Sequence, residues 1–408
     1  MRTVVVSDLH LGVRAGNDVS RRPEVRARLA ETARGADRLV LLGDVFELRE
    51  RPLAEILPFA RPLFADLAAA LAPGAEMVIV PGNHDHALVA PLVASVGAAV
   101  NLRSLEHRLR PDPPHPLARL GEELSPVRVE LAYPGLWLGP SVYATHGHHL
   151  DVHSSIPMVE CLALAVSGRL HGGPPGRGAT PAEYERIVAP AYRASLRLGR
   201  AGETLGRAGR GDFSVRVYER LSQRAAGEGA GRAPRAGGGG SSSEVTPADA
   251  PTRPSLGSEV ALPPLSELGD RALAVAVPAA VAALNRLGVG PFDPDLSGGA
   301  LRRAGLLAMA EVVDRLGIEA EHVIFGHTHR AGPLPGDVEG WTIPARDGRP
   351  ETRLLNTGNW VYEPAFLAAR PHASPYWPGR CAVVEDGGPP RLEHPLAGSG
   401  HEELASAR

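Results

Sequence analysis

Five times along the chain a short apolar run, strand-like in length and partly β-branched, ends in a cluster of polar side chains able to bind metal. Val4-Val5-Val6 runs into Ser7-Asp8-Leu9-His10, and Leu39-Val40-Leu41-Leu42 into Gly43-Asp44. Met77-Val78-Ile79-Val80 leads to Gly82-Asn83-His84-Asp85, and Val142-Tyr143-Ala144 to Thr145-His146-Gly147-His148. Val323-Ile324-Phe325 precedes Gly326-His327-Thr328-His329. Helical periodicity separates several of these runs. Val25, Leu29 and Ala33 share one face before Gly35, and a longer helix from Leu301 to Leu316 closes at Gly317. Strands alternating with helices predict a layered α/β fold. In such folds ligands gather beyond the carboxyl ends of the strands, where all five clusters fall.

The pattern breaks between residues 151 and 299. That stretch holds apolar helical segments at Ile156–Val166 and Ala272–Leu287. It also holds a helix start in which Thr180 caps, Pro181 fits the first turn and Glu183 completes a capping box. Between them, at about 225–258, lies a tract with four consecutive glycines followed by three serines. It has too little apolar surface to offset its ordering entropy and is expected to be disordered. The expected organisation is a discontinuous core, 1–150 and 300–396, a helical insertion or cap at 151–299, and a flexible tail at 397–408.

Composition narrows the chemistry. The 408 residues carry a formal net charge of −3 with 4% aromatic residues, which argues against a nucleic-acid groove. Every one of the 43 Lys+Arg positions is Arg, which reads as GC-rich codon usage and not as function, although the planar fork of Arg suits phosphate better than Lys does. Two cysteines, Cys161 and Cys381, are too few for a thiolate metal site or a disulfide framework and read as core thiols. The chain opens directly on a strand, and its longest apolar stretch, Ala272–Leu284, is too short to span a bilayer. A cytoplasmic location is the expectation.

Singly the clusters are weak. Asp8 with His10 reads equally as a capping pair, and Gly43-Asp44 as a turn. Jointly they offer carboxylate, amide and imidazole donors without thiolate, a set suited to Mn, Fe, Zn or Mg. There are more donors than one ion needs. Two ions about 3.5–4 Å apart, bridged by one carboxylate, use them and fit in-line displacement at phosphorus.

In this order the five blocks resemble the calcineurin-like metallophosphoesterase superfamily. The resemblance implies a four-layer αββα sandwich with the helical insertion set into it. By position it implies that Asp8, His10 and His329 hold one ion, that Asn83, His146 and His327 hold the other, and that Asp44 bridges them. It further implies that His84 serves the leaving oxygen, oriented by Asp85, and that a metal-bridging hydroxide attacks phosphorus. Two divalent ions, Mn2+ before Fe, Zn or Mg, are the expected cofactors. His148 is expected on the substrate side or behind the ligands.

Gly43-Asp44-Val45-Phe46-Glu47 beside Asp8-Leu9-His10-Leu11 resembles the branch of UDP-2,3-diacylglucosamine pyrophosphohydrolases. This sequence departs from it at His84 and His148, where that branch often has Arg and has Asp. The expected substrate is a small-molecule or lipid-linked phosphoester or pyrophosphate, with peripheral membrane contact through the insertion. A nuclease or nucleotide phosphodiesterase of the same superfamily, and a non-catalytic interaction module keeping the fold, are the competing readings. A module should have lost ligands, and this chain retains all of them.

Overall fold

Both faces of the central strands are buried, so alternate residues enter different layers. The computed structural model describes residues 1–90, 93, 102–156, 159–204, 282, 285–286, 292–293, 295, 297–337, 339–346, 348–367 and 371–405. The strands are β1 (Arg2–Val6), β2 (Arg38–Leu42), β3 (Glu76–Val80), β4 (Glu106–Leu109), β5 (Arg128–Trp137) and β6 (Val142–Thr145). They continue as β7 (His322–Phe325), β8 (Thr342–Ile343), β9 (Thr352–Asn356), β10 (Cys381–Glu385) and β11 (Arg391–Glu393). The helices are α1 (Pro23–Ala33), α2 (Leu53–Ala70), α3 (Ala118–Glu123), α4 (Val159–Leu170), α5 (Pro181–Thr204), α6 (Gly298–Leu316) and α7 (His401–Ala405).

In β1 to β3 one alternating set, Val4, Val6, Leu39, Leu41, Met77 and Ile79, packs with Val25 and Leu29 of α1 and Leu63 and Phe64 of α2. The opposite set, Val5, Val40, Leu42, Val78 and Val80, meets Ala144, Ile324 and Leu355 in a core between two sheets. Val323, Phe325 and Leu354 face outward and pack with Met309 and Val312 of α6. The layers therefore run helix, sheet, sheet, helix, as expected of the sandwich.

The strand order is β11-β10-β1-β2-β3-β5-β6-β7-β9-β8, with β4 on β5. The 10-residue β5 joins the two halves. Its start pairs parallel with β3, from Glu76↔Arg128 to Ile79↔Leu131, and its end pairs antiparallel with β6 at Gly135↔Thr145. Because β1, β2 and β3 are mutually parallel, and β6, β7 and β9 likewise, each half presents one rim of strand ends.

Several local expectations hold. Helix α1 buries Val25, Leu29 and Ala33, and α6 ends on Gly317 at φ 65°. The backbone N–H of Thr180 donates to Glu183 Oε2 at 2.8 Å, the reciprocal half of a capping box at the start of α5. The tract at about 225–258 and most of the expected helix Ala272–Leu287 lie outside the described residues. Among the described residues no helix is long and apolar enough to cross a membrane.

Within the expected flexible tail at 397–408, the described residues 397–405 are not a loose end. Leu404 is fully buried in the core beside α1, and Arg28 pairs with Glu403 at 2.9 Å. One apolar side chain docked on a helix outweighs a polar, small-residue composition. Leu404→Ala is expected to cost on the order of 2–3 kcal/mol in urea unfolding. A change within a few tenths would mean that the tail contributes nothing.

Candidate metal centre

The strand ends carry an unusual backbone. Asp8 (φ 56°), His10 (44°), Asp44 (50°), His327 (66°) and His329 (57°) all adopt left-handed conformations. Asp and His tolerate that region better than most residues, and such strain concentrates at functional sites. The sharp turns are stitched together by backbone hydrogen bonds. Asp8 N–H donates to the Gly43 carbonyl at 3.0 Å, His10 N–H to Asp44 at 2.8 Å and Gly326 N–H to His146 at 3.0 Å. The glycines before the ligands leave room for other ligands. A Cβ on Gly82 would sit 2.3 Å from Asp44 Oδ1 and 2.6 Å from His146 Nε2, and one on Gly326 would sit 2.5 Å from Asp8 Oδ2.

Asp8, His10 and His329 converge in one group whose ligand atoms lie within 4.8 Å of one another. His10 Nδ1 is engaged by Glu47 Oε2 at 2.9 Å, which turns its Nε2 inward, 3.1 Å from Nε2 of His329. His329 Nε2 is also 3.3 Å from Asp8 Oδ1, a buried oxygen with no hydrogen-bond partner. Imidazole nitrogens facing each other beside an unpaired carboxylate oxygen need a proton or a cation between them.

Asp44, His146 and His327 form a second such group. His146 Nδ1 donates to the Leu42 carbonyl at 2.9 Å, leaving Nε2 3.2 Å from Asn83 Oδ1 and 3.3 Å from Asp44 Oδ2. Asn83 Nδ2 donates to Glu160 at 3.0 Å, which leaves the lone pairs of Oδ1 facing the group. His327 Nε2 meets Asp151 Oδ2 at 2.9 Å, leaving Nδ1 for the group. Asp44 also groups with His10 and His84, so its carboxylate touches both sets. In both groups, partners behind the imidazoles hold them with one nitrogen inward, the usual support of metal ligands.

The electrostatics agree. Burial opposes charge on His10, yet Glu47, Asp44 and Asp8 lift its pKa to about 9. Burial likewise opposes charge on His146, and Asp44 and Asp8 lift it to about 10. For Asp44 burial favours the neutral acid, but His146, His84 and His10 hold it well below the usual carboxylate range. The pocket is rich in carboxylate and demands positive charge, which protons supply when metal does not. Its residues could hold metal ions.

The structure thus brings together all seven expected ligands, with His84 beside them. Its Nδ1 lies 2.7 Å from Glu47 Oε2, and its Nε2 lies 3.3 Å from Arg49 Nη1. Asp85 does not orient it. That carboxylate accepts from the backbone N–H of Gly82 at 2.6 Å and of Val45 at 2.8 Å, and so shapes the loops. Two carboxylates compete for the role, and Glu47 wins because Asp85 is saturated by main chain. His148 is only 1% exposed, with Nε2 3.1 Å from the Tyr133 hydroxyl and its ring 5.6 Å from that of His146, which fits the expected place behind the ligands better than the one on the substrate side. Glu47, Arg49, Asp151 and Glu160 had no assigned role. The available signal was nearness in sequence for Glu47, Arg49 and Asp151, each within five residues of a ligand; Glu160 had none.

Residues 1–162 match the family model described as calcineurin-like phosphoesterase, a family of metal-dependent hydrolases acting on phosphoester bonds. On that match the protein is a metal-dependent hydrolase. Four of the five clusters lie inside the matched stretch, and the fold carries His327 and His329 to them. No curated protein sequence matches the chain.

Metal binding to the metal-free protein is expected to release protons. At pH 7 His10 and His146 lie below their raised pKa values of about 9 and about 10, and ligation requires the neutral ring. Titration calorimetry with Mn2+ in two buffers of different ionisation heat should show proton release at pH 7, with affinity falling as pH falls. Binding with no proton release would contradict this electrostatic account.

Proposed function

We propose that this protein hydrolyses a phosphomonoester or pyrophosphate bond at a dinuclear centre, with Asp44 as the shared ligand. Asp8, His10 and His329 would hold one cation, and Asn83, His146 and His327 the other. The observation that carries the reading is the Asp44 carboxylate, which takes part in ligand groups on both sides of it. Mn2+ is the proposed ion, because imidazole, carboxylate and amide oxygen together suit it and thiolate is absent. When bound, such cations lower the pKa of water and neutralise phosphoryl oxygens.

The chain's own residues supply the rest. Buried Glu47 stays ionised: burial works against this, but His84 and His10 hold its pKa far below normal. It engages Nδ1 of His84 and so fixes the ring with Nε2 turned toward the place of the leaving oxygen. Arg49 presents its guanidinium beside that nitrogen. Its fork is held by Glu160, at 2.7 Å to Oε1 and 3.2 Å to Oε2. We read Glu160 as a carboxylate occupying the place that a substrate phosphate takes, since both accept the same bidentate pair of bonds.

His84→Ala is expected to keep its metal content while kcat on p-nitrophenyl phosphate falls about 10²–10⁴-fold. Arg49→Ala should raise KM about 10–100-fold, the weight of a hydrogen bond to a charged group. Normal turnover in His84→Ala would remove that residue from the chemistry.

One observation favours a lipid-linked substrate over a purely water-soluble one. Helix α5 crosses Arg49 at Gly199, where a Cβ would stand 2.3 Å from the Arg49 carbonyl. Next to Gly199 in that helix, Leu198 is 72% exposed. An acyl chain attached to a phosphate at Arg49 would find apolar surface there. A long-chain acyl phosphoester in detergent micelles should then have a kcat/KM at least about tenfold above its short-chain analogue, the value of roughly two buried methylenes. Equal values would favour a small soluble substrate.

A further inference from the structure

A second cluster of imidazole and carboxylate groups adjoins the first through His146 and His148, whose ring centroids are 5.6 Å apart. Its members come from four segments. His86 follows β3, Tyr133 lies on β5, His148 and His149 open the 3-10 turn after β6, and Glu185 belongs to α5 of the insertion. The titratable members are buried: His86 is 4% exposed, His148 1%, His149 3% and Glu185 4%.

Three of them meet on Glu185. His86 Nε2 lies 2.9 Å from Oε2 and His149 Nε2 3.3 Å from Oε1, and the Tyr133 hydroxyl donates to Oε1. Tyr133 Oη in turn lies 3.1 Å from His148 Nε2. His148, His149 and Glu185 offer ligand atoms within 4.8 Å of one another. The spacing resembles that in the pocket described above, where facing donors stand 3.1–3.3 Å apart. A tetrahedral shell with bonds of about 2.0–2.1 Å sets neighbouring donors about 3.3 Å apart. Read as hydrogen bonds alone, the network is incomplete, because buried His148 Nδ1 has no partner.

We propose that this cluster is a further metal site, distinct from the dinuclear pair, taking one divalent ion of the zinc type. His148, His149 and Oε1 of Glu185 are its ligands, and His86 holds the other carboxylate oxygen in place. Two imidazoles and a carboxylate without thiolate suit zinc, and a hydrogen-bonded carboxylate is the usual support of such a ligand set. Glu185 comes from the insertion and both histidines from the turn that follows a core strand. The ion would therefore cross-link α5 to the sandwich, and its binding energy would appear as folding energy of the insertion. The site stands whether or not the dinuclear reading does.

Metal content decides it. The full-length protein is saturated with Zn2+, freed of excess by gel filtration and analysed by mass spectrometry. The expected content is about three ions per chain, falling to about two in Glu185→Gln and in His149→Gln. Asp44→Asn, aimed at the other pocket, should leave this ion in place. In that background Co2+ should give the intense visible absorption of a tetrahedral site, lost when Glu185→Gln is added. Two ions per chain in the unaltered protein, and still two in a folded Glu185→Gln protein, would overturn the proposal. So would three ions that persist in a folded Glu185→Gln protein.

Discussion

Asp8 and Asp44 are carboxylates at 0% and 1% exposure, with Glu47 at 3% and Asp151 at 8% just behind the imidazoles they orient. An ionised carboxylate taken out of water is costly unless positive charge meets it closely. That demand organises the rim of the sandwich. It explains why five histidines, His10, His84, His146, His327 and His329, crowd around two aspartates. It explains the raised pKa values of His10 and His146, which are the response of neutral rings to surplus negative charge. It also explains why strained left-handed turns persist, since they aim short side chains at a common centre.

The sandwich makes this arrangement affordable by rigidity. Strand β5 belongs to both sheets, so the rim of β1, β2 and β3 and the rim of β6 and β7 are parts of one body. Loops from either half bond directly to the other. His327 N–H donates to Asp8 Oδ2 at 3.1 Å, and His146 Nδ1 to the Leu42 carbonyl at 2.9 Å. A ligand cage assembled across two sheets is held by the inner core of Val5, Val40, Val78 and Ile324 beneath it.

Among the described residues, buried carboxylates tie the insertion to this rim. Glu160 spans Arg49 and Asn83, and Asp151 holds His327. Glu185 gathers His86, His149 and Tyr133. Through these carboxylates the candidate metal pocket, Arg49 and the helices α4 and α5 share one polar network. In such a network, removing one buried partner strands the others at a cost above that of a lone surface bond.

Much of this was written locally. The strands, the polar clusters at their ends and the seven side chains that meet at the rim were legible because alternation, donor chemistry and turn-tolerant residues act within a few positions of one another. The first helix and the Thr180–Glu183 cap were legible for the same reason. Other features were not. The choice of Glu47 over Asp85 as the partner of His84 is a contact 37 residues apart, and the Asp151 bond that sets the tautomer of His327 spans 176. The burial of His148, the docking of Leu404 and the meeting of Glu160 with Arg49 belong to the same class. Sequence determined which atoms were available to bind cations. Tertiary packing alone decided which nitrogen of each ring faces them and which carboxylate stands behind it, because those choices depend on neighbours that only the folded chain brings within hydrogen-bond reach.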